Sequence, residues 1–170
     1  MRENEIRTEL EQHHGDAFGW ALSCCGWDRP LAEDVLQSTY LKVLDGRAVF
    51  AGRSSFKTWL YAVIRRTAGE QRRRLAFKRL VPLEALTDRR DQNAADPFER
   101  LERSERSAQL VEALKTLPRR QREVLQLVFY HDLTIREAAE VSGVSIGTAR
   151  THYERGKERL RNLLVKESYT

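Results

Sequence analysis

The sequence lacks the features that are typical of secreted, membrane or redox-active proteins. Its two cysteines, Cys24 and Cys25, are neighbours, so they form neither a C-x-x-C motif nor a disulfide framework. The longest apolar stretch without a charge, residues 17–27, has 11 residues and is too short to span a bilayer. The N-terminus carries charged residues where a signal peptide has an apolar core. These absences predict a cytoplasmic protein that does not insert into a membrane.

Catalytic and metal-binding motifs are also missing. The four histidines have no clustered partners in the sequence, and there is no glycine-rich phosphate loop or nucleophile motif. A helix could bring His13 and His14 near the two cysteines to form a metal site, but two buried thiols are the preferred interpretation. We therefore expect no enzyme activity, no cofactor and no metal.

Arginine is the residue that the sequence has in excess. It accounts for 24 of the 30 basic residues, and the net charge is +5. The planar guanidinium matches phosphates and guanine edges, which favours a nucleic-acid partner. Basic residues are concentrated in two blocks: residues 57–79 have 8 basic and one acidic residue, and residues 145–166 have 6 basic and 2 acidic residues. Two separate basic blocks predict two contacts with one polyanion.

Hydrophobic periodicity predicts an all-α protein, because no segment shows the sustained alternation of a strand. A polar, acidic segment with few large apolar groups interrupts the helical pattern near the middle of the chain. The prediction is two small helical domains, residues 1–80 and 106–170, joined by a flexible acidic linker over residues 81–105. The sequence leaves the relative orientation of these domains open.

Residues 134–165 have the pattern of a helix-turn-helix. Thr134 and Glu137 form a capping box, Gly143 suits the left-handed turn, and Ser145 caps the following basic helix. The first turns of that helix present small polar and basic residues away from its apolar stripe, which suits insertion into a major groove. An ordinary solvated helix face is the alternative interpretation of the charges alone. The whole pattern favours DNA binding.

The first basic block carries aromatic residues among its arginines. On a helical wheel Phe56 and Leu60 face the core, whereas Lys57 and Tyr61 lie on the opposite side with several arginines. An outward tyrosine among arginines is a stacking platform for single-stranded DNA. Trp59 fits either the core or this platform.

The predicted helix over residues 30–44 has a different outward face, which contains Leu41 among small polar residues. Such a face could dock on a protein, although single exposed leucines are common on protein surfaces. The wheel alone therefore does not favour docking.

Four linked motifs resemble the extracytoplasmic-function (ECF) sigma factors, the small bacterial sigma subunits that keep only sigma domains 2 and 4. In one-letter code they are AEDVLQSTYLKV at 32–43, FAGRSSFKTWLY at 50–61, LPRRQREV at 117–124, and the segment 134–163. The resemblance covers nearly the whole chain in order, spacing and length. It implies a non-enzymatic subunit that binds core RNA polymerase and directs promoter-specific transcription initiation.

The resemblance also implies a role for each surface. A docking face would contact the clamp helices of core polymerase; it consists of Asp34, Gln37, Ser38 and Leu41. A single-strand face would melt and read the minus-ten element; it consists of Ser54, Lys57, Trp59, Tyr61, Arg65, Arg66, Arg72 and Arg73. A recognition face would read the minus-thirty-five element in double-stranded promoter DNA; it consists of Ser145, Thr148, Arg150, Thr151, Glu154 and Arg155. An anti-sigma factor that covers such faces is a further implied partner.

Three positions depart from the family pattern. Thr67 and Glu70 stand where the family often has Asn and Asp, and Ser38 stands where Glu is common. The first two departures imply an altered minus-ten preference, and the third implies a weaker polymerase contact. The alternative function is a stand-alone helix-turn-helix regulator, which would not need polymerase docking and for which Leu41→Asp would be harmless.

Overall fold

The computed structural model describes residues 1–80 and 105–169, and in these residues it contains α-helices and no strand. The helices are α1 (Glu3–Cys24), α2 (Arg29–Leu44), α3 (Phe56–Leu80), α4 (Glu105–Thr116), α5 (Arg119–Phe129), α6 (Ile135–Ser142) and α7 (Ile146–Ser168). The all-α prediction is confirmed. The predicted linker, except for its last residue, lies outside the described residues, and the exact domain bounds stay a prediction.

Helices α1, α2 and α3 pack against one another as an N-terminal group. Asp28 caps α2, because its Oδ1 accepts a hydrogen bond from the Leu31 backbone N–H at 3.0 Å. Ser55 precedes α3, and its Oγ accepts from the Thr58 N–H at 3.1 Å. The sequence pattern did not single out α1. This helix carries two interior glycines, which lower helix propensity, and its packing against α2 and α3 holds it in place.

Helices α4 to α7 form a C-terminal group that contains the predicted helix-turn-helix. The Thr134 Oγ1 accepts from the Glu137 N–H at 3.2 Å, and the Glu137 carboxylate accepts from the Thr134 N–H at 2.7 Å. Gly143 ends α6 with a φ of 66°, and the Ser145 Oγ accepts from the Thr148 N–H at 3.1 Å. The capping box, the glycine turn and the second cap are therefore confirmed.

The two groups share one buried apolar cluster. It contains Trp20, Leu60 and Ile64 from the N-terminal group and continues into Val124 and Leu127 of α5. Helices α3 and α6 are also in direct contact. A second, smaller cluster lies within the C-terminal group and is built on Leu114, Leu117 and Leu125. The two groups thus form a closed arrangement, which the sequence pattern did not predict.

Helices α5 and α7 approach each other closely at Gly156. A Cβ atom at this position would lie 3.1 Å from Leu125 Cδ1 and 3.3 Å from the Gln121 carbonyl oxygen. Only a residue without a side chain fits this contact without a shift of α5. The spacing that orients the recognition helix therefore depends on Gly156.

We expect Gly156→Ala to lower the free energy of unfolding by about 1–3 kcal/mol, because the added methyl group overpacks the contact between α5 and α7. Gly147→Ala is the matched control, since nothing lies within 4 Å of a Cβ at that helical position. The control should stabilise the chain by about 0.5–1 kcal/mol through helix propensity. Urea unfolding followed by circular dichroism measures both values. Equal stability of the two variants would contradict the close contact.

Candidate nucleic-acid and protein interfaces

All six residues of the predicted recognition face are exposed, Ser145 at the N-cap of α7 and the other five on its first turns. The opposite side of these turns packs into the fold, where Ala149 is fully buried. Glu154 forms an ion pair with Lys157 at 3.4 Å, whereas no ion pair holds Arg150 or Arg155 in the described part of the chain. The helix therefore presents two arginines and several hydroxyl groups together, as major-groove recognition requires.

The predicted docking face lies on α2, and three of its four residues, Asp34, Gln37 and Leu41, line a surface groove. Asp34, Gln37 and Leu41 are exposed, Leu41 by 55%, and Ser38 is half-buried. Phe18 and Tyr40 also line the groove, but the sequence analysis did not include them in the docking face. Tyr40 lies three residues after Gln37 and four residues after Leu36, so it shares a side of α2 with them. This helical spacing could have indicated Tyr40.

Tyr40 is held in place in this groove. Its hydroxyl oxygen lies 2.9 Å from His14 Nδ1, which joins α2 to α1. Burial raises the pKa of Tyr40 to about 12, so the phenol is neutral at physiological pH. The groove thus combines apolar and aromatic side chains with charged groups of both signs, among them Asp34 and the ion pair of Arg29 with Glu33. Such a surface can receive an amphipathic helix.

The arginines of the single-strand face line a cleft between α3 and α5. Arg65, Arg66, Arg72 and Arg73 contribute to this cleft, and Arg119 of α5 joins them. Arg119 was not among the predicted residues, because only the packing of the two groups brings it there. Arg72 donates a hydrogen bond to the Cys24 carbonyl oxygen. A cleft with this charge suits the phosphates of nucleic acid.

The two aromatic residues of the single-strand face, Trp59 and Tyr61, differ in how deeply they are buried. Trp59 is half-buried and packs on Phe50 and Phe56, with ring centroids 5.3 Å away in each case. Ser54, also half-buried, lies in the loop before α3. Tyr61 is fully buried, so the prediction of an outward stacking platform is wrong for this arrangement. A wheel of one helix separates its faces correctly but carries no information on a second helical group that covers the polar one.

His131, in the loop between α5 and α6, covers Tyr61. Its Nδ1 lies 3.0 Å from the Tyr61 hydroxyl oxygen, and its ring meets the Tyr61 ring edge-on with centroids 5.0 Å apart. The His131 carbonyl oxygen accepts a hydrogen bond from Lys57 Nζ at 2.7 Å. Tyr61 also stacks on Trp20 at 5.9 Å. The sequence analysis dismissed His131 because its partners lie about 70 residues away.

Glu123 of α5 makes the second polar connection between the two groups. Its carboxylate accepts from Arg65 at 3.2 Å and from Arg119 at 3.0 Å, and the residue is only 2% exposed. Ser23 of α1 donates a hydrogen bond to the side chain of Gln126, also on α5. None of these partners was predicted, and the contacts of Arg65 with Glu123 and of Ser23 with Gln126 join distant parts of the chain.

Both departures near the minus-ten motif belong to one structural contact. Lys42 Nζ of α2 donates to the Thr67 hydroxyl at 3.2 Å and to the Glu70 carboxylate at 2.5 Å. The bond from Lys42 holds the pKa of Glu70 below its usual value. Thr67 is buried. These two residues therefore join α3 to α2.

The described residues contain no helix that is long and apolar enough to cross a membrane. They also contain no group of three or more histidine, cysteine or acidic side chains that could hold a metal ion. Cys24 and Cys25 are buried free thiols, and burial raises the pKa of each. The preferred interpretation of the cysteines as buried thiols is confirmed.

Two family models match this chain: sigma-70 region 2 over residues 10–77 and sigma-70 region 4 over residues 107–160. The chain is 32% identical over 139 residues to the RNA polymerase sigma factor YlaC of Bacillus subtilis, covering 79% of this chain and 78% of that protein. It is 33% identical over 128 residues to the ECF RNA polymerase sigma factor SigF of Caulobacter vibrioides, covering 75% and 68%.

Two solved structures share the fold. The sigma factor RpoE of Bartonella quintana, solved with the anti-sigma factor NepR, has a TM-score of 0.71 at 24% identity, covering 94% of this chain and 96% of that one. CnrH, solved with the cytosolic domain of CnrY, has a TM-score of 0.66 at 20% identity, covering 97% and 90%. The likeness covers both helical groups.

We expect His131 to make the stability of the chain fall as the pH is lowered. Burial, and then the charge of Lys57, lower the pKa of His131 to about 4, while Asp16 and Asp132 oppose this shift. The unfolded chain, with an ordinary histidine pKa near 6.5, binds a proton at a higher pH than the folded chain. The free energy of unfolding that the neutral His131 contributes is therefore fully present above about pH 6.5. It is lost as the pH falls towards 4, and the loss is about 2 kcal/mol at pH 5.

Urea unfolding of the wild type and His131→Gln between pH 7 and pH 5 measures this effect. This window lies above the range in which most carboxylates take up protons. We expect the wild type to lose more stability than His131→Gln across the window. Parallel curves for the two proteins would contradict a neutral, buried His131.

Proposed function

This chain belongs to the ECF sigma factors of the sigma-70 family, and we propose that it directs core RNA polymerase to promoters through three separate surfaces. A sigma factor binds core polymerase and confers promoter specificity on transcription initiation. The observation that carries the proposal is the capped helix-turn-helix with its exposed recognition face, on the same chain as the docking groove of α2. Neither surface requires catalytic chemistry, and we infer that the chain is not an enzyme.

The recognition face would read the minus-thirty-five element in the major groove. Arg150 and Arg155 are suited to guanine edges or phosphates, and Ser145, Thr148 and Thr151 offer short hydroxyl contacts. Glu154 can accept a hydrogen bond from a cytosine amino group or repel non-specific DNA. The exposure of all six side chains supports this assignment, because no rearrangement within the C-terminal group is needed before they meet DNA.

The single-strand face would hold the melted minus-ten element. The arginine cleft would follow the phosphates, and Tyr61 and Trp59 would stack on unpaired bases at about 1–3 kcal/mol per base. A flipped base costs a few kcal/mol to extrude, and these contacts would repay that cost. Tyr61 must be uncovered before it can do so, since it is now buried under His131.

Two further proposals concern the setting in which the chain acts. We place it in the cytoplasm, where core polymerase and promoters meet. We also propose that an anti-sigma factor holds it inactive by covering its polymerase and DNA surfaces. The two solved structures that share its fold support this proposal, because the first contains an anti-sigma factor and the second contains the cytosolic domain of another protein. A stand-alone regulator is less well supported, because such a protein has no use for the N-terminal docking groove.

Run-off transcription with core polymerase and a promoter library tests the function, and Leu41→Asp tests the docking face. We expect the wild type to start transcripts and Leu41→Asp to bind core polymerase at least about tenfold more weakly, because a carboxylate buried in an apolar contact is left without a partner. Val165→Asp is the matched control, since Val165 is also an exposed apolar residue on a helix but lies at the far end of α7.

Two outcomes would contradict these proposals. A library that yields no transcript with the wild-type chain would overturn the sigma-factor function of this protein. Equal polymerase binding by Leu41→Asp and Val165→Asp would remove the docking role from α2. Binding of duplex minus-thirty-five DNA should be the same for both variants, because neither residue lies on the recognition face.

Arg150→Ala tests the recognition face. A specific base contact contributes about 1–3 kcal/mol, so this variant should bind the selected minus-thirty-five duplex about 5- to 100-fold more weakly and discriminate less at one base position. Arg161→Ala is the control, because Arg161 has the same charge and lies exposed three turns later on the same helix. Fluorescence anisotropy at fixed salt concentration compares the two. If both variants lose the same affinity without a change in specificity, Arg150 contributes only charge.

A further inference from the structure

We propose that the arginine cleft between α3 and α5 is a binding site for a small oligophosphate, a ligand with two or three linked phosphate groups. Five arginines line the cleft: Arg65, Arg66, Arg72, Arg73 and Arg119. Its volume of about 510 Å³ is that of a small-molecule site. The binding itself follows from the geometry and charge of the cleft and does not depend on the proposed function.

The protein compensates only part of the charge of these arginines. Glu123 pairs with both Arg65 and Arg119, at 3.2 Å and 3.0 Å. The carboxylate in the lining, Glu70, is already paired with Lys42 of α2. With these partners included, six basic side chains meet two acidic ones, which leaves an excess of four positive charges. One phosphate group carries at most about two negative charges, so linked phosphates balance this excess better than a single one does.

Two of the arginines are available to a ligand without the loss of a protein contact. Arg66 and Arg73 are exposed, and neither makes an ion pair or a hydrogen bond within residues 1–80 and 105–169. The guanidinium group offers two parallel N–H donors to a phosphate, a geometry that a lysine lacks. These two residues therefore supply the contacts that a ligand would gain at the lowest cost.

The guanidinium groups of α3 and α5 are close enough to repel one another. Burial, and then the charge of Arg119, lower the pKa of Arg72, and Glu123 opposes this shift only in part. Arg72 donates a hydrogen bond to the Cys24 carbonyl oxygen, which is neutral and leaves the charge uncompensated. A polyanion between the two helices would replace this repulsion with attraction.

Gly69 of α3 gives the cleft its space. A Cβ at this position would meet only the flexible end of Arg72, at 3.8 Å, so packing does not require a glycine here. Its φ is not positive, so the backbone does not require one either. A glycine inside a helix costs about 1 kcal/mol relative to alanine. The missing side chain leaves room for phosphate groups beside the arginines.

The lining also indicates which part of a ligand is recognised. Besides the arginines it contains only Gly69, Glu70 and Ala76, and no aromatic ring on which a base could stack. The phosphate chain is therefore the part that the cleft binds, whether it is free or attached to a nucleoside.

A bound oligophosphate would connect the two helical groups, because Arg119 belongs to the C-terminal group and the other four arginines to the N-terminal group. It would stabilise the folded chain by mass action. Those four arginines also belong to the single-strand face, so the ligand and a melted strand could not occupy the cleft together. This last consequence alone rests on the proposed function.

Isothermal titration calorimetry of the full chain with sodium tripolyphosphate, in magnesium-free buffer at fixed ionic strength, tests the site. Arg66→Ala removes an exposed cation that makes no ion pair in the described part of the chain. Gly69→Leu fills the cleft and keeps all five arginines. Arg161→Ala is the charge-matched control, because Arg161 is exposed on α7 and does not line the cleft. Circular dichroism establishes that each variant is folded.

We expect one tripolyphosphate to bind per wild-type chain. Arg66→Ala and Gly69→Leu should each bind it at least about tenfold more weakly, because a charge-assisted hydrogen bond, or the space for the ligand, is lost. Arg161→Ala should bind it like the wild type, and inorganic orthophosphate should bind the wild type at least about tenfold more weakly than tripolyphosphate.

ATP in the same buffer distinguishes the two sources of the phosphate chain. Tighter binding than tripolyphosphate assigns the site to a nucleotide, and equal or weaker binding assigns it to the phosphate chain alone. Tripolyphosphate should also raise the Tm of the wild type more than that of Arg66→Ala.

Two results would overturn the inference. One is the absence of saturable binding of both tripolyphosphate and ATP to the wild type. The other is a folded Arg66→Ala or Gly69→Leu that binds no more weakly than Arg161→Ala, which would place the phosphates elsewhere. Neither measurement uses polymerase or a promoter. The cleft can therefore fail to bind oligophosphate while run-off transcription still supports the proposed function, and the two failures are distinguishable.

Discussion

The contact between His131 and the N-terminal group is the interaction on which the arrangement of the two halves depends. The imidazole fits beside Trp20 and Tyr61, and its own carbonyl oxygen satisfies Lys57. Hydrogen bonds of this kind add little net stability when water can replace them, but they are costly to leave half-made in a buried site. Such a contact therefore selects one arrangement of the two groups without making it permanent.

The fold determines which basic residues of the sequence have partners within the protein and which do not. The first basic block has the larger excess of positive charge, yet three of its eight basic residues already have protein partners: Lys57 pairs with the His131 carbonyl, Arg65 with Glu123 and Arg72 with the Cys24 carbonyl. The arginines of the recognition face have no such partners in the described residues. A count of basic residues along the sequence therefore overstates how many of them in the first block are available for DNA.

The features that the sequence predicted well are local. The capping box of Thr134 and Glu137, the turn at Gly143 and the cap at Asp28 each involve residues within a few positions, so their geometry follows from residue type and spacing. The features that it missed join distant segments. His131 contacts Tyr61 from 70 positions away, and Glu123 contacts Arg65 from 58. A helical wheel treats every face without an apolar stripe as solvated, and for Tyr61 that assumption was wrong.

The shared apolar cluster determines what opening must cost. When the groups separate, apolar side chains at their boundary meet water, at about 25 cal/mol for each Å² exposed. The C-terminal group has a small cluster of its own around Leu114, Leu117 and Leu125, and it contributes further buried side chains, among them Leu133 and Val141, to the shared cluster. An open chain is therefore favoured only where new contacts cover the surface that opening exposes. Under the proposed function, core polymerase and the melted strand are the partners that supply those contacts.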